Sequence, residues 1–543
     1  MNIAPWMLVL SVMLRASTAP AHEAPVAAPP AARLGAVSFE TSCQAAARPD
    51  FERGVSLLHS FWYDAALAMF RKVIAADPGC AMAYWGEAMT GFPQVNGWPE
   101  AAAVTAAGRA LAAAERAPER TTRETDWIHA LYVFYDGFTR QRAPEHARLY
   151  ANAMAALARK YPDDLEAQVF YALALLAADP PDDVALVNPR KAVAVLEPLF
   201  ASHPDHPGIA HYLIHACDNP AMARLALPAA RRYADIAPDV PHALHMPGHI
   251  FARLGLWQDD IRSNLASKAA AERLAPPHTD GGRTGAMPMG AENRLHAMEF
   301  LEYAYLQTGE DDKARAIVAE ARTVPAADVD PRYPGYYGGV EARLPALYAI
   351  ETRDWAMAGR LEPVTGGNAQ SQALTLLAEV TAAAHLHDAG AADTALHALE
   401  ALASRDPPPP AGSLRETLPA EIRAWAALAH GDLQRATDLL HPVIARQARV
   451  GKGEVELPAG EMLADMLLLG GRPREALEAY QRSLQSDPNR FNALLGAGAA
   501  AEQAGAGSLA VRYYRAALAN CPAASGPARQ QLAHAAAIAG ATL

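Results

Sequence analysis

The chain has 543 residues, with 47 Lys+Arg against 59 Asp+Glu and a formal net charge of −12. Apolar residues make up 51%, too many for a disordered chain and enough to bury a large core. The acidic balance and the lack of Lys/Arg clusters argue against nucleic acid as a partner, because phosphate binding needs a basic face.

Residues 1–21 read as an export signal. Trp6 to Leu14 forms a short apolar run and Ala19-Pro20-Ala21 offers an A-x-A cleavage site, which predicts a periplasmic or secreted protein. Met1 to Pro5 holds no Lys or Arg, so an uncleaved tail or a misplaced start stands as the alternative. Residues 22–46 form an Ala/Pro-rich lead-in. Beyond residue 15 no 18-residue charge-free apolar stretch occurs, and no transmembrane anchor is expected. Abundant Ala and the scarcity of period-two β-branched runs predict an all-α protein.

Four cysteines are present: Cys43, Cys80, Cys217 and Cys521. None forms a CxxC pair, which removes zinc-ribbon and thioredoxin readings. Cys43 precedes the first strong helix and Cys80 follows the helix packed against it, so in an oxidising compartment the two are expected to staple that hairpin. Cys217 and Cys521 lie in distant segments and are not expected to bond.

A helical frame recurs down the chain. Residues 47–206 begin with a unit at 47 carrying Gly54, Ala66, Phe70 and Pro78, followed by helices out of strict register; Pro144 to Lys160 reads as one of them. Residues 207–328 hold units starting at 207, 241 and 295, fixed by Pro238, by Gly255 and by Gly309, Ala314 and Val318. Residues 329–456 hold units at 376 (Gly390, Ala395, Leu399, Pro407) and 417 (Gly431, Ala436, Leu440). Residues 457–524 hold two regular units whose closing prolines, Pro488 and Pro522, are 34 residues apart, and residues 525–543 read as a capping helix.

In the unit at 457, Leu463, Gly471, Ala476, Tyr480 and Pro488 fall at positions 7, 15, 20, 24 and 32; in the next, Gly498, Ala510, Tyr514 and Pro522 fall at 8, 20, 24 and 32. This pattern resembles the tetratricopeptide repeat, with its small residue at 8, Ala at 20, aromatic at 24 and Pro at 32. The resemblance implies an α-solenoid of about ten hairpins whose terminal units can be trimmed without destroying the rest. More narrowly, Phe51-Glu52-Arg53-Gly54 with Leu57-Leu58-His59-Ser60-Phe61, Cys80 to Gly86, and Pro241 to Phe251 (PHALHMPGHIF) resemble an exported bacterial tetratricopeptide-repeat family without a settled function.

In such repeats, positions 2, 5, 9, 12 and 13 face the concave groove. For the units at 207 and 241 these are Gly208, His211, His215, Asp218 and Asn219, then His242, His245, His249, Ala252 and Arg253. Five of the ten are His, where the chain's overall frequency of 19 in 543 predicts about 0.35. His296 and Glu299 extend the stripe to a third helix. Neutral imidazole is the commonest protein metal ligand, and His at i and i+4 can grip one ion. His211, His215, His245 and His249 are therefore the first-choice ligands for zinc or copper, with His242, His296 and Glu299 as secondary or second-metal candidates. Asp218 is placed to orient an imidazole. Pro247, between His245 and His249, is expected to kink the helix or mark its start.

Gly/Pro-rich residues 276–293 read as an inserted loop carrying His278, Asp280, Met287 and Met289, and a second insertion carries Tyr333, Tyr336 and Tyr337. Trp62, Trp85, Trp127 and Trp257 sit at helix-packing spacings and read as core. Gly496-Ala497-Gly498 imitates a dinucleotide fingerprint without a preceding strand, and no HExxH, GxSxG or Walker A sequence occurs. Three functions fit: a metal-binding groove, a metal-free scaffold clamping a peptide or partner protein, and a metal-dependent hydrolase or oxidoreductase with loop 276–293 as a lid.

Overall fold

The computed structural model describes residues 32–540 except 93–96, 181–182, 184, 275–289, 327–328, 330–334, 365–367, 406–416, 454 and 522–529. Residues 1–21, read above as an export signal, most of the 276–293 loop with His278, Asp280, Met287 and Met289, and Tyr333 lie outside the described residues. No strand occurs among the described residues, and no helix there is long and apolar enough to cross a membrane.

Consecutive helices pair as antiparallel hairpins, from Arg48–His59 with Tyr63–Ala76 to Phe491–Gln503 with Gly507–Asn520, and Gln530–Ala539 follows as the last helix. Close approach inside a hairpin depends on small residues. A Cβ added to Gly54 would meet the Phe70 ring at 2.8 Å, and one added to Gly498 would meet Tyr514 at 2.4 Å. Position 8 must therefore be small because position 24 is large. Trp62, Trp85 and Trp127 are fully buried in the N-terminal core, and Trp257 is buried in the next.

The turn between the two helices of a hairpin needs one left-handed residue. Gly255, Gly309, Gly431, Gly471 and Gly505 occupy it with φ of +64°, +69°, +77°, +72° and +78°, the conformation only Gly adopts without cost. The unit expected at 376 is shifted. Its turn falls at His387 (φ 57°), and Gly390 lies inside the helix Ala389–Arg405. In the unit at 47 the same turn position is Phe61, with φ 54°, a strained setting for an aromatic residue.

Cys43 and Cys80 form a disulfide with a Cα–Cα distance of 4.6 Å, and Cys217 and Cys521 are thiols. Its sequence separation of 37 residues corresponds to about 3–4 kcal/mol of stabilisation through loop closure. A Cys43→Ser/Cys80→Ser protein should lose about that much in denaturant unfolding followed by Trp fluorescence. An unchanged midpoint would mean that the lead-in is held by other contacts, such as Ser42 on Glu124.

The array does not contact only its neighbours, which corrects the expectation that terminal units can be trimmed freely. Trp257 Nε1 donates to the Asn489 carbonyl at 2.8 Å, Asn489 Nδ2 to that of Gly255 at 3.2 Å, and Arg253 Nη1 to that of Lys452 at 2.8 Å. The backbone N–H of Phe491 donates to Gln307 Oε1 at 2.9 Å. The C-terminal hairpins thus curl back onto the His-rich middle. Removing them exposes a buried surface there instead of merely shortening a rod.

Candidate metal centre

Helix geometry divides the histidine stripe in two. His211 and His215 lie one turn apart on Pro207–Ala216, His242 and His245 on Pro241–His245, His249 on Pro247–Arg253 and His296 on Gly290–Gln307. Met246 keeps helical angles (φ −52°, ψ −35°) between the two short helices. Pro247 begins a helix here, where its missing N–H costs little, and His245 and His249 stay one turn apart.

In the first cluster, the Nε2 atoms of His215 and His242 lie 3.0 and 3.1 Å from His211 Nε2. In the second, His245 Nε2 and His249 Nε2 are 2.9 Å apart, and the His296 ring lies 4.4 Å from that of His245 between centroids. Within each trio one nitrogen per residue falls within 4.8 Å of the others, with one ring buried and two half-buried. His242 and His296, given secondary places by the sequence, are full members of these trios.

Hydrogen bonds behind the rings fix their tautomers. A carbonyl oxygen only accepts, so His211 Nδ1 carries a proton and donates to the His59 carbonyl at 2.6 Å. Asn264 turns its NH2 toward Asp260 Oδ1 at 2.6 Å and the Asp260 carbonyl at 3.1 Å, leaving its oxygen to accept from His245 Nδ1 at 2.6 Å. His249 Nδ1 donates to Asp218 Oδ2 at 2.9 Å, while Arg253 Nε holds the other Asp218 oxygen at 3.0 Å. His296 Nδ1 donates to Glu299 Oε2 at 3.1 Å. With its proton on Nδ1, each of His211 and His245 turns its Nε2 lone pair into the cluster.

Glu299 does not join the ring of nitrogens. Its carboxylate accepts from Arg343 Nη1 at 2.7 Å and Tyr336 OH at 3.3 Å besides His296. Burial pushes Glu299 up, but Arg343 and His296 outweigh it and hold the carboxyl below its usual range. Asp218 orients His249, although it lies past the end of the helix at Ala216 and not on its face. Asn219, beside it, accepts from the Met222 N–H and shapes the turn. Burial, reinforced by the neighbouring imidazoles, pushes His211, His242 and His245 well below the ordinary imidazole value. These rings stay uncharged, the form that ligates.

Sequence reasoning missed the supports. Phe61 packs over His211, His215 and His242 at centroid distances of 4.4, 5.4 and 5.6 Å. Phe300 does the same for His245, His249 and His296 at 4.7, 5.0 and 5.3 Å. Asn264 approaches because residue 248 is Gly: a Cβ there would sit 2.7 Å from both Asn264 Nδ2 and Asp260 Oδ1. Only His59 and Phe61 had a sequence signal, within the Leu57–Phe61 segment.

Two other groups bring potential ligands together and differ in kind. Cys43 and Cys80, near Asp77, are consumed by their disulfide. In the buried trio His59–Glu166–His206, His206 Nδ1 accepts from the Ile209 N–H, so its Nε2–H donates to Glu166 at 2.9 Å. His59 Nε2 meets the other Glu166 oxygen at 2.9 Å and its Nδ1 meets Tyr212 OH at 2.9 Å. Burial raises Glu166, but His206 and His59 more than offset this and hold it at about 2. That trio is satisfied by its own hydrogen bonds.

No family model and no curated protein matches the chain. Similar solved structures include the human IFIT1 dimer with m7Gppp-AAAA, 13% identical over 81% of this chain and 90% of that one, TM-score 0.34. The APC/C hetero-tetramer Cut9–Hcn1 is 14% identical over 90% of each chain, TM-score 0.30, and the P58(IPK) TPR domain 13% identical over 91% of this chain and 98% of that one, TM-score 0.19. Likeness at this level says nothing of ligands. The described residues form an all-α array of helical hairpins whose turn positions and small-against-large contacts resemble those of a tetratricopeptide-repeat solenoid. Its histidine clusters sit where the first helices of successive repeats meet.

Proposed function

We propose that this protein is an exported, metal-binding tetratricopeptide-repeat protein whose two tri-histidine clusters each hold a transition-metal ion, zinc or copper. The observation that carries this reading is the convergence of one nitrogen each from His245, His249 and His296 within 4.8 Å of one another, His245 Nε2 lying 2.9 Å from His249 Nε2 while hydrogen bonds to Asn264 and Asp218 hold the far sides of those two rings. A transition-metal ion placed among the three nitrogens would be ligated by them. Tetrahedral zinc at about 2.0–2.1 Å from each nitrogen would separate its ligands by about 3.3 Å, a small adjustment. Three protein ligands would leave a further coordination position, the arrangement of exchangeable and catalytic ions rather than closed structural ones. The Cys43–Cys80 disulfide supports export to an oxidising compartment.

Titration of the protein without an affinity tag should give two zinc or copper ions per chain. Asn264→Ala should weaken one of them about 10–100-fold, the usual effect of removing a partner that orients a ligating imidazole. His430→Ala, altering an exposed His paired with Asp393, should change neither. Stoichiometry below about 0.2 ion per chain with both metals would leave the metal-free scaffold, in which the same substitutions affect only binding of a peptide or protein.

A further inference from the structure

We infer that the two clusters form one paired copper site that takes up dioxygen as copper(I), an inference resting on the metal-binding reading above. The trios share a wall. His242 of the first and His245 of the second follow each other along one short helix, with ring centroids 6.4 Å apart. All six donors are imidazoles, three for each ion. The carboxylates bonded to these rings are themselves paired with arginines, Asp218 with Arg253 at 3.0 Å and Glu299 with Arg343 at 2.7 Å.

Two adjacent ions in such a neutral ligand set repel in proportion to the product of their charges, so a pair of monovalent ions repels one quarter as strongly as a divalent pair. Imidazole is a good ligand for copper, and three donors per ion leave an open face. Phe61 and Phe300 pack along the two trios as apolar walls. Apolar rings beside the ions favour an uncharged ligand such as a diatomic molecule over an anion. In the redox step each copper(I) gives up one electron, the O=O double bond of one dioxygen becomes the single bond of peroxide, and two copper(II) ions result. No other oxidant or reductant is needed for this single turnover.

The test uses the untagged full chain loaded with copper(I) without oxygen, then exposed to air. Two copper(I) should bind per chain, and an oxygen electrode should record one dioxygen consumed for each two copper. The oxidised protein should show almost no copper(II) electron-paramagnetic-resonance signal, because two bridged copper(II) spins pair; acid should then release two visible copper(II) per chain. His215→Gln and His296→Gln, which alter half-buried rings in different trios, should each bind one copper per chain and, when loaded directly with copper(II), show a full single-ion signal. Full-intensity signals from the unaltered protein, or no dioxygen uptake, overturn the pairing. If zinc still binds at two per chain in that case, the metal-binding reading survives; if neither metal binds, both fall.

Discussion

Arg490→Met should lower the stability of the whole array by about 3–5 kcal/mol, the usual result of removing one partner from a buried ion pair. Arg490 is 1% exposed. It holds Glu461 through two bonds at 2.9 and 3.0 Å, Glu351 at 2.6 Å and the Tyr303 hydroxyl at 2.7 Å. Methionine would leave two carboxylates facing each other without a cation. Burial already pushes Glu461 up, Arg490 pulls it down and Glu351 pushes it up again, leaving it at about 7. The folded value lies above the ordinary 4.5. The unfolded chain therefore releases this proton first as pH rises, and stability falls between about 4.5 and the folded value. Without Arg490 the folded value climbs further, so the defect should be largest above pH 7 and shrink as pH drops toward 4.5. Denaturant unfolding across that range measures it. Arg490→Met/Glu351→Gln/Glu461→Gln should recover most of the loss at pH 8; a defect independent of pH would assign the effect to packing.

Metal should stabilise the fold, and His245→Ala should remove that gain for one site. An ion bound only by the native state at a thousandfold above its dissociation constant adds about 4 kcal/mol. His245 is buried and bonded to Asn264, so its replacement costs stability even without metal. The informative quantity is the difference between metal-loaded and metal-free protein, measured for both forms. The increment should fall by about half in His245→Ala if the two sites contribute equally and independently. An increment equal to that of the unaltered protein would show that metal binds elsewhere.

The difference between the two trios and the buried group around Glu166 explains why residue type alone is a weak guide to a metal site. His59 and His206 lie as close to potential ligands as His245 does, yet each nitrogen has a fixed donor or acceptor. At His245 and His249 the partners Asn264 and Asp218 stand behind the rings, and the two Nε2 atoms turn toward each other. Hydrogen-bond direction separates a filled network from a candidate ion site.

Much of this protein was legible in its sequence because its rules are local. Helix type follows from Ala content and periodicity, hairpin closeness from the pairing of Gly54 with Phe70 and Gly498 with Tyr514, and the turns at 255, 309, 431, 471 and 505 from a glycine at one position of the repeat. The helical spacing that places side chains on one face also marked the histidine stripe. The sequence could not say how that stripe divides, since the His242 and His245 rings turn to different trios according to the packing of helices far apart in the chain. Nor could it show that Asn264 reaches His245 across Gly248, that Arg343 draws Glu299 out of the ligand ring, or that Gly390 lies outside the turn. The return of residues 452–491 onto the middle of the array was equally hidden. Each rests on side chains brought together across the sequence, and a period of 34 residues carries no information about contacts between repeats that are not neighbours.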